Sequence, residues 1–248
     1  MCRHLCYLGP ELRLAELLYH APHSLAEQSY APRDMRGGGS VNADGFGAAW
    51  YGRSGLTRYR RAGPIWQDEG FRSVAEGITT GAVLAAVRNA TVGLPVGEGA
   101  AAPFVAERWA FSLNGWVPGW PDSLVPLADS LGSRALLQLD ALTDAALLWA
   151  WLAARLCGGQ SPTTAIRELV EQVLELAPAA RLNLLLTDGR TAWASTVTHA
   201  LSVRTAPTIV ASEPLDDSPA WQPIGDGRLV IATAEEVRVE ALASATPY

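Results

Sequence analysis

The sequence predicts an α+β protein, in which two sheets carry helices on their outer faces. Three observations carry that reading. Strand-like segments fill the first half of the chain, two long helices follow in the middle, and strands return after Pro178. That order packs helices onto sheets rather than into a bundle. Hydrophobic residues make up 49% of the chain and charged residues only 18%, so the core is large and no long segment reads as disordered. No linker, charge block or internal repeat divides the sequence, and a single domain over residues 1–248 is expected.

Taken in order, residues 2–9 read as a short strand closed by Gly9-Pro10. Residues 11–20, ELRLAELLYH, space their apolar positions as a helix does. Residues 21–42 look like a loop, with Pro22, Pro32 and the run Gly37-Gly38-Gly39. Residues 45–51 and 56–61 are strand candidates joined by a hairpin turn at Gly52-Arg53-Ser54-Gly55. Residues 82–88, AVLAAVR, form the apolar run of a buried strand, and residues 108–113 form another. The latter is expected to end at Asn114-Gly115, where the chain must turn.

The first long helix is expected within residues 141–157, with Thr143 as N-cap and a stop at Gly158-Gly159. The second covers residues 162–176, with Ser161 as cap and Pro162 in its first turn. Four strand-rich segments then complete the chain, at residues 181–189, 190–204, 206–212 and 228–241.

Charge narrows the partners. Nineteen basic residues, all arginine, stand against 25 acidic ones, for a net charge of −6. That balance argues against nucleic acid and against an anionic membrane surface. No apolar run approaches the roughly 18 residues needed to span a bilayer, and no secretory signal opens the sequence. Three cysteines form no disulfide framework, which suits a reducing cytoplasm. Cys2, His4 and Cys6 alternate without a second ligand pair at zinc-site spacing, so neither metal nor cofactor is expected.

The chemistry begins at Cys2, in the opening Met-Cys-Arg-His. Loss of Met1 would put a thiol and an α-amine on one residue. A terminal amine has a pKa of about 7.7–8.0, against about 10.4 for lysine, so part of it is neutral near physiological pH. By position alone Cys2 also reads as an ordinary thiol in a first strand.

Three further segments bear on the choice: Asp44-Gly45-Phe46-Gly47, Arg88-Asn89-Ala90-Thr91 and Asn114-Gly115. With Cys2, in this order, they resemble the class II glutamine amidotransferases, a branch of the N-terminal-nucleophile hydrolases. The resemblance extends along the whole chain. Residues 182–189, LNLLLTDG, and 211–217, ASEPLDD, are similar to a narrower group of stand-alone γ-glutamyl amidohydrolases of ergothioneine biosynthesis.

The resemblance implies a four-layer αββα sandwich of two antiparallel sheets. It implies a small-molecule substrate, γ-glutamyl-hercynylcysteine S-oxide, cleaved at its γ-glutamyl amide through a thioester on Cys2. Asn114, through its side-chain amide, and Gly115, through its backbone N–H, would stabilise the oxyanion. Arg88 would grip the α-carboxylate as a fork, with Thr91 beside it. Asp144 would meet the α-amino group, although the Ser-Glu that follows it in similar sequences is missing here and Asp144 also reads as a helix N-terminal residue. Leu113 stands where many relatives have histidine.

Trp116 and Trp120 follow the Asn-Gly pair and are candidates to cage a trimethylammonium group. Each aromatic face would contribute about 0.5–2 kcal/mol; core packing is the competing role. His4 is open between the pocket wall and the opposite face, and Asn42 and Asp44 read mainly as loop-shaping groups. Two rival functions stay open: a glutaminase passing ammonia to a partner synthase, and a non-catalytic binding protein. The sequence sets no oligomeric state.

Overall fold

The structure, a computed structural model, describes residues 2–35 and 41–242. The chain runs through β1 (Arg3–Arg13), α1 (Leu25–Tyr30), β2 (Gly45–Gly52), β3 (Gly55–Arg61), α2 (Glu69–Gly77), β4 (Thr79–Arg88), β5 (Phe104–Ala106) and β6 (Trp109–Trp116). Four helices follow: α3 (Val125–Asp129), α4 (Ser133–Leu136), α5 (Asp144–Cys157) and α6 (Pro162–Leu176). The remaining strands are β7 (Arg181–Thr187), β8 (Thr191–Thr196), β9 (Ser202–Arg204), β10 (Thr208–Ala211), β11 (Gln222–Pro223), β12 (Arg228–Thr233) and β13 (Val237–Ala241).

The strands form two sheets, ordered β11-β9-β10-β1-β4-β2-β3 and β13-β12-β8-β7-β6-β5. Neighbouring strands pair antiparallel. Three apolar layers hold the sandwich together. Small residues such as Ala49, Ala82, Ala110, Ala192 and Ala194 fill the gap between the sheets, with Cys6, Leu84 and Val210. Leu25, Phe71 and Ala75 from α1 and α2 cover the outer face of the first sheet, against Leu5, Tyr7 and Val87. Leu148, Trp151, Ile166 and Leu169 from α5 and α6 cover the second, against Phe111, Leu184 and Leu186. This is the αββα arrangement. No helix among the described residues is long and apolar enough to cross a membrane.

Alternation along the strands decides which side chains meet. In β1, Leu5 and Tyr7 point outward to the helices, while Cys6 and Leu8 point inward between the sheets. In β4 the outward set is Val83, Ala85 and Val87, and the inward set includes Ala82 and Leu84. Cys2, Arg88 and Asn114 share the inward parity of their strands.

Several expected elements change. The first strand does not stop at Gly9-Pro10 but runs to Arg13, with a shift in its pairing to β4 between Leu8 and Leu12. An irregularity there accommodates a proline, which has no N–H to give the ladder. The helix expected over residues 11–20 shrinks to a π-turn at Glu16–His20. The expected loop contains α1, whose N-cap Ser24 accepts a hydrogen bond from the Glu27 N–H. The Ser24-Leu-Ala-Glu27 capping-box pattern was the signal for it. Thr143 caps α5 as expected, accepting from the Ala146 N–H at 3.2 Å. Ser161 stands at the N-cap of α6 without a side-chain cap bond.

Asn114-Gly115 is not a turn. β6 passes straight through it, pairing Asn114 with Asn183 and Gly115 with Leu182 of β7.

Candidate active site

The sandwich brings remote segments together because several strands begin or end at one edge. Arg3 pairs with Val87, so Cys2, one residue before β1, lies beside Arg88 at the end of β4. Gly45 at the start of β2 pairs with Arg88 from the other side. On the facing sheet, β6 ends its run at Trp116. A cleft at this edge is lined by Cys2, Arg88, Asn89, Thr91, Ser112, Gly115, Thr143 and Asp144. Cys2, Arg88, Thr91, Gly115 and Asp144 thus meet in one place.

Cys2 is half-buried, and its Sγ lies 3.9 Å from the Asn89 carbonyl oxygen. The other thiols are held protonated. Burial pushes Cys6 up to about 12, and burial with Glu107 nearby raises Cys157. A thiolate is the nucleophilic form, so neither is a competitor. Removal of Met1 concerns a residue outside the described ones.

Asp144 is buried as the first residue of α5. Its Oδ1 accepts from the Ala145 N–H and its Oδ2 from the Val117 N–H, at 2.8 and 2.9 Å. Burial pushes its pKa up, against the opposing pull of those N–H groups and the Arg88 charge. A carboxylate desolvated in this way gains from a cation placed beside it. The helix-terminal and pocket readings of Asp144 are compatible in this geometry. Arg88 donates from Nη1 to the Pro95 carbonyl at 3.2 Å, which orients its guanidinium. An arginine and a buried carboxyl group therefore border the same cleft, the pattern that a zwitterionic amino-acid head group requires.

Asp44 shapes this edge. Its N–H donates to the Arg88 carbonyl, and its Oδ2 accepts from the Ala90 N–H, at 2.9 and 2.8 Å. Asn42, fully buried, donates its N–H to the Ser29 carbonyl. His4 points between the sheets, where Nδ1 meets Ser112 Oγ at 3.2 Å.

Three more of the predicted residues lie close to this edge. The Asn114 side chain turns between the sheets, where Nδ2 donates to Ser212 Oγ at 3.2 Å. Trp116 and Trp120 are not among the side chains that line the cleft. Trp116 stays in the ladder opposite Arg181, because β6 runs on instead of turning, and Trp120 packs against the core beneath α5 and α6. Sequence reasoning missed Ser112 and Ser212. The second sits in the 211–217 stretch, which stood out without a role.

His4 gives the site an acid limit. Burial, His199 and Arg3 lower its pKa from 6.5 to about 3. Between those values the unfolded chain binds a proton that the folded chain refuses. Stability therefore falls as pH drops below 6.5, by up to about 1.4 kcal/mol per pH unit. Burial pushes Glu213 up, but hydrogen bonds from His23 and the Arg33 N–H, with the Arg3 charge, hold it below 4.5. Its contribution is present above 4.5 and lost as pH falls through the folded value. Melting temperature should drop between pH 7 and 4.5, and His4→Gln should flatten that slope; an unchanged slope would reject His4 as its source.

Comparison with known proteins gives the class first. A class-II glutamine aminotransferase domain protein from Silicibacter pomeroyi superposes with a TM-score of 0.70 at 23% identity, covering 98% of this chain and 100% of that one. Glutamine phosphoribosylpyrophosphate amidotransferase from B. subtilis gives 0.71 at 16% identity, covering 98% of this chain and 49% of that one. These likenesses show that the chain shares their fold. Residues 16–208 match the family model described as "Glutamine amidotransferases class-II", and the chain belongs to that family.

Relatives narrow the comparison. The gamma-glutamyl-hercynylcysteine sulfoxide hydrolase of Mycolicibacterium smegmatis is 38% identical over 93% of this chain and 95% of its own length. The protein of the same name from Mycobacterium tuberculosis (strain CDC 1551 / Oshkosh) is 35% identical over 98% and 97%.

Proposed function

We propose that this protein hydrolyses the γ-glutamyl amide bond of γ-glutamyl-hercynylcysteine S-oxide. The observation that carries the reading is the similarity, over more than nine-tenths of both chains, to hydrolases named for that substrate. The cleft supports it, because it joins a thiol to an arginine and a buried carboxyl group suited to a glutamyl head group.

With Met1 removed, the Cys2 α-amine takes the thiol proton, directly or through a water, and the sulfur attacks the γ-carbonyl. The oxyanion faces the Gly115 N–H and the Asn114 Nδ2. That nitrogen carries two hydrogens, and its bond to Ser212 engages one of them. Collapse of the tetrahedral intermediate expels the amine, which receives the proton held by the α-amine. Water then attacks the thioester by the same route and releases glutamate. Arg88 holds the α-carboxylate, with Thr91 beside it, and Asp144 holds the α-ammonium.

Purified protein should release glutamate and amine from the S-oxide conjugate faster than it releases ammonia from glutamine. Rapid glutamine turnover with none of the conjugate would overturn the assignment. Arg88→Lys keeps the charge but loses the fork, and charged hydrogen bonds are worth about 1.5–3 kcal/mol. KM for the conjugate should rise about tenfold or more, with kcat changed less; an unchanged KM would remove Arg88 as the carboxylate anchor.

A further inference from the structure

A catalytic residue inside a chain is held by a peptide bond on each side. A nucleophile at the chain terminus has only one, and its carbonyl is the handle left to the protein. In this structure that handle is taken. Arg3 Nη1 donates to the Cys2 carbonyl oxygen at 3.0 Å. Arg3 Nε donates to Glu213 Oε1 at 2.5 Å, and Nη2 to the Asp34 carbonyl. Glu213 Oε2 in turn meets His23 Nε2 at 2.8 Å and the Arg33 N–H at 2.7 Å. Arg3, His23 and Glu213 are each only 2% exposed.

Ser212, the preceding residue, serves the other side of the same sheet. Its N–H donates to the His4 carbonyl at 2.9 Å. Its Oγ lies 3.1 Å from the His4 N–H and 3.2 Å from Asn114 Nδ2. One hydroxyl thereby links the strand behind the nucleophile to the strand of the facing sheet that carries the amide.

We propose that Ser212 and Glu213 are positioning residues that hold the nucleophile and the oxyanion amide in register. Glu213 acts through Arg3 on the Cys2 carbonyl, and Ser212 acts on Asn114. The proposal rests on the roles given above to Cys2 and Asn114. Stability alone is a poor reason for such a network, since a buried ion pair often gives no more than apolar residues of the same volume. Geometry is a better one, because a displacement of about 1 Å at a reacting group costs roughly a hundredfold in rate. Alternation explains how neighbours reach two targets: residue 212 faces inward to Asn114 and residue 213 outward to Arg3.

The test uses the mature full-length protein with L-γ-glutamyl-p-nitroanilide as substrate. Active sites are counted by stoichiometric labelling with 6-diazo-5-oxo-L-norleucine. Ser212→Ala and Glu213→Gln should each lower kcat per labelled site about tenfold to a hundredfold, with KM changed far less. Values within about twofold of wild type would overturn the proposal. So would a loss explained wholly by fewer labelled sites, the signature of a merely structural role. If Glu213→Gln yields no folded protein, Ser212→Ala decides. A wild-type protein that neither labels nor hydrolyses would overturn the reading of Cys2, and the proposal with it.

Discussion

Cys2→Ala is expected to lower γ-glutamyl hydrolysis by about a thousandfold or more while leaving the protein folded. The magnitude follows from the mechanism: without sulfur no thioester forms, and only positioning and the oxyanion donors remain to assist direct attack by water. The small structural cost follows from the site. Cys2 is half-buried outside the apolar layers, and its side chain makes a long contact to the Asn89 carbonyl. The α-amine survives the substitution, so the variant separates the nucleophile from its base. Mass spectrometry should find wild-type protein beginning at Cys2 and labelled there by a glutamine-mimicking electrophile, and Cys2→Ala unlabelled. A wild-type protein that keeps Met1, or a Cys2→Ala variant with undiminished turnover, would defeat the mechanism.

Gly115→Ala is expected to damage fold and activity together. A Cβ built at Gly115 would stand 1.8 Å from the Arg181 carbonyl oxygen and 2.7 Å from its carbon. Both are backbone atoms, which cannot rotate away. β6 and β7 would have to part where Gly115 pairs with Leu182. Overpacking of this kind costs about 1–3 kcal/mol and sometimes more. The same displacement moves the Gly115 N–H from the oxyanion, and losing one such donor costs about 2.7–4 kcal/mol of transition-state stabilisation. A lowered melting temperature with a hundredfold or greater fall in kcat is the expected result. Unchanged stability would mean that the two strands are free to separate. The structure shows this glycine making room for a neighbouring strand.

Much of the fold was legible along the chain because its signals are local. The hairpin at residues 45–61 is marked by its turn, α5 by Thr143 and Gly158-Gly159, and α6 by Pro162. The misreadings occurred where pairing overruled local preference. Gly9-Pro10 and Asn114-Gly115 both look like stops, yet both lie inside strands, since a neighbouring strand supplies the bonds that local sequence does not.

The site divides in the same way. By itself the sequence determined the chemical inventory: a cysteine next to Met1, an arginine ending a buried strand, an aspartate opening a helix and a glycine behind an asparagine. Residue identity carries that information. Only the tertiary structure decided which groups meet. It joined Cys2, Arg88, Thr91, Gly115 and Asp144 at one edge, turned Asn114 toward Ser212, and kept Trp116 and Trp120 out of the cleft. It also set Glu213 behind Arg3, across a sequence separation of 210 residues. The physical reason is that strand register and alternation assign every side chain to a face, and both depend on partners far away in the chain.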